Sequence, residues 1–294
     1  SFRFLRNHLA PFLESLFHGK RPMRILTLSP DGANLLRPDT PVAQRFKRYG
    51  EHAERFDAVV FVDGGEDAVL SPAVHVYAVL KRPLVSALFR LARRFAALVR
   101  AQRYDLLSTR DPYYVGLLAV FLAWKHGLAL ELQVHGFEKF RFPRSWLARF
   151  VLRRADAVRA VSERLKAKLV REFGLDPARI TVCPIHVDAQ AFACLPGPSL
   201  PRDPARPFVF VTIGRLVPVK NIAAQLRALA RLKTVPPPRL TVVGDGPLRA
   251  ALAEEARRLG LADRVTFAGS TADVGAFFAN ADAFLLTSRE EGYG

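Results

Sequence analysis

Two cysteines, one methionine and two tryptophans are all that the 294 residues contain of those types. Cys183 and Cys194 cannot build a disulfide framework, and they do not form a Cys-x-x-Cys pair, so a reducing compartment is the expectation. Long hydrophobic runs are also missing. The longest, residues 112–124, falls short of the roughly 18 residues of a membrane span and reads as a buried helix. There is no glycine-rich loop followed by Lys-Ser/Thr, which excludes a P-loop nucleotidase. Zinc-finger spacing, aromatic-interleaved basic strands and basic regions leading into heptads are absent too, so no nucleic-acid partner is expected. Acidic residues are scarce, 27 against 44 basic ones, which leaves a net charge of +17.

That charge is uneven. Residues 1–200 carry 31 basic and 18 acidic groups (+13), and 201–294 carry 13 and 9 (+4). The basic groups are scattered along the chain, as on solvated helix faces. Length alone suggests about two domains. Residues 1–22 precede the single Met23 and read as an N-terminal extension. From there the hydrophobic period keeps switching between 2 and 3.6. Strand patterns fall at 24–29, 58–62, 74–79, 105–108, 129–135, 157–161 and 180–183, with helical patterns at 42–56, 84–101, 113–125 and 163–173 among them. Five prolines in 195–207 mark a linker. Alternation resumes with strands at 208–213, 240–243, 265–267 and 283–286 and helices at 219–232 and 248–259. Such alternation predicts an α/β protein of two Rossmann-like domains, 23–194 and 208–294.

Glycines follow the strands of the second half. The run Gly214-Arg215-Leu216-Val217-Pro218-Val219-Lys220 leaves a strand and enters a helix. It offers close backbone approach, two cations and a helix N-terminus to an anion. Similar turns carry Gly244, Gly246 and Gly269. The chain ends in Ser288-Arg289-Glu290-Glu291-Gly292-Tyr293-Gly294. In an extended segment Glu290 and Glu291 point to opposite faces, so one of them, Glu291, is expected in a site. His135 follows a strand and precedes Gly136; a satisfied core histidine is the plain alternative. Residues 84–100 pair apolar Leu84, Val85, Leu88, Leu91, Phe95 and Leu98 with four arginines; a core-facing helix with a solvated basic face is the plain reading, and a surface-lying membrane helix the alternative.

Taken in order, Gly-Arg-Leu-x-Pro-x-Lys, Val-Gly-Asp-Gly-Pro, Val-x-Phe-x-Gly and Ser-x-x-Glu-Gly-Tyr-Gly resemble the family 4 nucleotide-sugar glycosyltransferases. In the first half Thr109-Arg110-Asp111-Pro112, Val134-His135-Gly136 and Arg154-Ala155-Asp156-Ala157-Val158 agree with it. The resemblance implies the GT-B fold, two Rossmann-like domains facing across a cleft, with the second incomplete. It implies a retaining transfer from a UDP- or GDP-sugar to a glycan, lipid or small-molecule acceptor. The roles it implies are donor diphosphate binding for Gly214, Arg215 and Lys220, and donor-sugar contact for Glu291 as a catalytic residue. Gly292, Tyr293 and Gly294 would line sugar and phosphate with backbone. Gly244, Gly246 and Gly269 would flank the nucleotide, and His135 would meet the donor sugar from the acceptor-side domain. No cofactor and no metal are expected, since no Asp-x-Asp occurs and the cations can stand in for one. A cytoplasmic enzyme with peripheral contact to the inner membrane face fits lipid-linked acceptors. The family's second glutamate, separated from Glu291 by seven residues, would fall at position 299, past Gly294, so the chain is expected to be truncated and inactive as it stands. A nucleotide-sugar-binding fragment without turnover and a basic polyanion or membrane binder are the alternatives.

Overall fold

The computed structural model describes residues 22–29, 32, 34–136, 144–185, 203–271 and 273–291. They fall into two units, 22–185 and 203–291. The extension, nearly all of it, and linker residues 195–202 lie outside the described residues; 203–207 hold no helix or strand.

The first unit is built on an eight-stranded sheet in the order β3-β4-β2-β1-β5-β6-β7-β8. Its strands are β1 Arg24–Ser29, β2 Arg55–Val62, β3 Ala68–Ser71, β4 Val74–Leu80, β5 Leu106–Thr109, β6 Ala129–Val134, β7 Ala157–Ala160 and β8 Ile180–Val182. All neighbours run parallel except the β3–β4 hairpin. Strand residues alternate between two cores. Val59 and Phe61 of β2 join the core under helices α2 Leu84–Ala101, α3 Tyr114–His126, α4 Arg144–Arg154 and α5 Glu163–Phe173. Ala58, Val60 and Val62 join the core under helix α1 Pro41–Glu51. Both faces of the sheet are thus covered by helix, as parallel sheets require.

Local chemistry sets the helix ends. Thr40 Oγ1 accepts from the Ala43 amide at 3.2 Å and opens α1, and Ser162 does the same for α5 through Leu165. Asp111 accepts from the Tyr113 and Val115 amides, both at 2.9 Å, at the start of α3. Gly127 and Gly174, both left-handed, close α3 and α5.

The second unit has four parallel strands in the order β11-β10-β9-β12: β9 Val209–Ile213, β10 Arg239–Val243, β11 Val265–Gly269 and β12 Ala283–Phe284. Helices α6 Ile222–Arg231, α7 Arg249–Arg258 and α8 Gly275–Ala279 connect them. Leu226, Leu229, Leu240, Val242 and Leu252 form its core.

Several boundaries differ from the sequence reading. The helix expected over 42–56 stops at Glu51, and residues 55–57 extend β2, where Ile25 pairs with Phe56 and Leu26 with Asp57. The helix expected over 219–232 breaks at Asn221, whose left-handed φ of 54° separates a 3-10 turn at Pro218–Lys220 from α6. The strand expected over 283–286 has only two residues, and β3, α4 and α8 were not anticipated.

Asp57 explains why β2 was read short. A charged residue in an apolar run breaks the strand pattern, yet this one is fully buried. Arg55 Nε donates to its Oδ2 at 2.8 Å, Gln102 Nε2 at 2.7 Å, and the Tyr104 hydroxyl donates to the same oxygen. His75 Nδ1 lies 3.4 Å from Oδ1. Burial first, then Asp57, raises the Tyr104 pKa far above the usual phenol. Truncating a buried partner strands the others, so Asp57→Ala should cost about 3–5 kcal/mol of stability, read from urea unfolding. A loss below about 1 kcal/mol would show that the network is not holding the sheet.

Candidate active site

Ligands of open parallel sheets bind beyond the carboxyl ends of strands, where the strand order reverses. In the second unit that reversal lies between β9 and β12. Lys220 arrives from the turn after β9 and Glu291 from the segment after β12. Lys220 Nζ donates to Glu291 Oε1 at 2.6 Å. Burial pulls the Glu291 pKa upward, but the Lys220 ammonium outweighs it and leaves the carboxylate below its usual value. An ammonium has three protons, so Lys220 can serve Glu291 and still face an anion. Glu290, its neighbour, is exposed to solvent.

A buried polar chain fixes this pair. Gln225 Nε2 donates to Thr212 Oγ1 at 3.2 Å and to Thr287 Oγ1 at 2.8 Å. Thr212 Oγ1 in turn donates to the Leu285 carbonyl at 3.0 Å, and Thr287 Oγ1 lies 3.2 Å from the Lys220 carbonyl. The Arg289 amide donates to the Val219 carbonyl at 2.9 Å. These bonds tie residues 285–291 to the turn that carries Lys220. The sequence reading missed Thr212, Gln225 and Thr287. A glutamine in a helix that otherwise presents Ile222, Leu226 and Leu229 to the core was the available signal.

The glycine turns meet backbone to backbone. The Gly214 amide donates to Val243 O at 2.9 Å, Gly244 to Gly269 O at 2.7 Å and Leu216 to Asp245 O at 2.9 Å. Gly244 has φ 133°, and a Cβ there would sit 2.1 Å from the Gly214 oxygen; at Gly246, φ 157°, it would sit 2.7 Å from Leu216 O. Gly214 itself packs against the Lys220 stem, and a Cβ there would meet Cε at 3.5 Å. Arg215 is exposed and makes no ion pair among the described residues. Gly292, Tyr293 and Gly294 lie outside the described residues. Gly244→Ala combines left-side backbone strain with a hard clash and should cost about 2–5 kcal/mol. A thermal melt of that variant within one or two degrees of the parent would refute the close approach.

His135 belongs to the first unit, just past the end of β6. It is exposed, unlike a core histidine, and its Nε2 stands 3.4 Å from Gln133 Oε1. Partial burial, then Arg110, Arg159 and Arg45, push the imidazole pKa down to about 4. Glu131, the nearby carboxylate, is already engaged: Ser108 Oγ donates to it at 2.6 Å, and Arg159 Nε lies 3.3 Å away. Arg110 sits 5.6 Å over the Phe46 ring at one end of a cavity of about 420 Å³, lined also by Tyr49, Phe56, Glu131 and Arg159. Burial lowers its own pKa. The sequence reading quoted Thr109-Arg110-Asp111 as a motif without giving Arg110 a role.

Two family models divide the chain between them. "Glycosyltransferase Family 4" matches residues 42–191, half of the chain. The chain belongs to glycosyltransferase family 4. "Glycosyl transferases group 1" matches residues 201–294. Over 114 residues this family 4 chain is 38% identical to the lipopolysaccharide core biosynthesis glycosyltransferase LpsD of Rhizobium meliloti (strain 1021), covering 37% of the chain and 32% of LpsD. It is 25% identical over 216 residues to the UDP-Gal:alpha-D-GlcNAc-diphosphoundecaprenol alpha-1,3-galactosyltransferase of Escherichia coli, covering 66% of the chain and 54% of that enzyme. The matches thus span only about a third to a half of these two relatives' lengths. Among solved structures, the lipopolysaccharide outer core galactosyltransferase WaaB superposes with a TM-score of 0.69 at 20% identity, covering 92% of the chain and 76% of WaaB. Anabaena Alr3699/HepE in complex with UDP gives 0.68 at 20% identity, covering 90% and 74%. These likenesses establish the GT-B fold.

The charge state of His135 has a sign that can be checked. An unfolded histidine titrates near 6.5. Between about 4 and 6.5 the unfolded chain therefore binds more protons, and stability rises with pH across that window, complete above it. An NMR titration should find the His135 ring neutral at pH 6. A midpoint near 6.5 would remove the arginine cluster as an influence on it.

Proposed function

We propose that this chain carries the machinery for transferring a sugar from a nucleoside-diphosphate sugar to a glycan or lipid-linked acceptor, with retention at the anomeric carbon and without a metal ion. The observation that carries the reading is the Lys220–Glu291 pair, held at the strand-order reversal of the second unit beside the glycine turns. Breaking the sugar–phosphate bond gathers negative charge on the leaving diphosphate and positive charge on the sugar. Lys220 and Arg215 are placed to meet the first, and Glu291 faces the second; preorganised charges of this kind are worth about 3–4 kcal/mol each to a transition state. Gly214, Gly244, Gly246 and Gly269 let backbone approach the nucleotide.

UDP and GDP are the donors we favour. HepE has been crystallised with UDP-glucose, and relatives include a UDP-Gal-dependent galactosyltransferase and a GDP-mannose-dependent phosphatidylinositol monomannoside mannosyltransferase. The last two names also motivate a lipid-linked acceptor. We assign the acceptor to the first unit, beside His135, and the enzyme to the cytoplasmic face of a membrane.

In the complete protein, Lys220→Ala and Arg215→Ala should each lower kcat/KM at least tenfold, about 1.4 kcal/mol, with EDTA leaving the parent rate unchanged. Glu291→Gln should lower kcat more than it raises KM. Nucleotide affinity that Lys220→Ala and Arg215→Ala leave untouched would remove this site from the reaction.

A further inference from the structure

Apolar side chains that leave the core usually do so singly. Helices α2, α3 and α4 depart from that. Their inner faces are core: Leu91 and Phe95 of α2 are fully buried, as the core-facing reading of that stripe expects. Their outer faces are apolar as well. Phe89 of α2 is 69% exposed, Phe121 and Trp124 of α3 are 51% and 56%, and Trp146 of α4 is 68%. On α3 the exposed positions 114, 117, 121 and 124 are Tyr, Leu, Phe and Trp, one stripe along the helix, followed by Lys125. A helix apolar all round is ordinarily covered on every side.

Charge identifies what covers this one. The three helices carry four arginines, one lysine and four arginines in turn, and no aspartate or glutamate. Arg93, Arg100, Lys125, Arg144 and Arg149 are exposed. A protein partner of mixed charge would leave such a rim unmatched, and an aqueous face would not keep both tryptophans of the protein in water. Aromatic side chains flanked by basic ones suit the headgroup layer of an anionic bilayer, where rings partition at the interface and nearby cations are attracted to the lipid charge. Among the described residues no helix is long and apolar enough to cross a membrane, so contact would be from one side.

We infer that α2, α3 and α4 form a membrane-docking face, with Phe121, Trp124 and Trp146 entering the headgroup region of an anionic lipid bilayer. Neither Lys220 nor Glu291 takes part, so nucleotide binding and membrane binding are separable. Trp124 and Trp146 are the only tryptophans, so intrinsic fluorescence reports this face alone. With vesicles of phosphatidylcholine and 30% phosphatidylglycerol, emission should shift to the blue and be quenched by dibrominated lipid. Co-sedimentation should be at least fivefold stronger than with phosphatidylcholine alone, and weaken but persist when salt is raised from 0.1 to 0.5 M. Leu117→Ser with Phe121→Ser, both surface positions, should lower partitioning at least tenfold, while Val235→Ser, exposed in the second unit, should leave it unchanged. Circular dichroism melts confirm that each variant is folded. Unshifted emission with anionic vesicles, equal partitioning of the double variant, or a vesicle-free dimer that shields both tryptophans from iodide would each overturn the assignment.

Discussion

The missing Cβ at Gly244 sets the spacing on which the candidate site of the second unit depends. With a side chain there, the turn after β10 could not lie against the carbonyl of Gly214, and the turn after β9 would be pushed from the sheet edge. That second turn contains Arg215 and Lys220, and the break at Asn221 fixes where Lys220 stands before α6 begins. A cation is then held at a strand end by a single 3-10 turn. Backbone hydrogen bonds between turns replace the ladder that ends at Val243.

Lys220 and Glu291 are 71 residues apart in sequence, and their meeting needs a second support. Thr212, Gln225 and Thr287 supply it from inside the unit. Gln225 is nearly fully buried and bonds to both threonines, so its amide bridges β9 to the segment after β12. A strand as short as β12 has only two residues of pairing with β9. The hydroxyl and amide bonds beyond Phe284 continue its path where the ladder stops.

What was legible in the sequence was whatever shows as period or as glycine after a strand. The parallel strands and the glycine turns after β9, β10 and β11 were of that kind. Residues whose meaning depends on a distant partner were not. Asp57 looked like the edge of a strand because its arginine, tyrosine and glutamine partners come from elsewhere in the fold. Gln225 looked like a polar helix residue until Thr212 and Thr287 closed around it. Asn221 gave no warning of its left-handed backbone, since asparagine within an apolar-periodic run also reads as helix. Arg110 was visible as a letter in a motif, but its place over Phe46 and near His135 follows from strand order alone.

Arginine surplus acts differently at the two ends of the first unit. In the helix layer Arg90, Arg94 and Arg153 are engaged with the protein, whereas Arg93, Arg100 and Arg144 are exposed, their fields screened within about 8–10 Å, and they matter to a surface as a group. At the carboxyl edge partial burial, and after it Arg110, Arg159 and Arg45, lower the His135 pKa to about 4, so the imidazole is uncharged near neutral pH. A neutral imidazole offers one donor and one acceptor and no net charge. On the proposed reaction it therefore cannot be the counter-charge for a departing diphosphate. That work falls to Lys220 and Arg215 in the second unit, and the hydrogen bond between Lys220 and Glu291 acquires a meaning beyond structure. It holds the cation in place while leaving two of its protons to follow the charge as it moves onto phosphate.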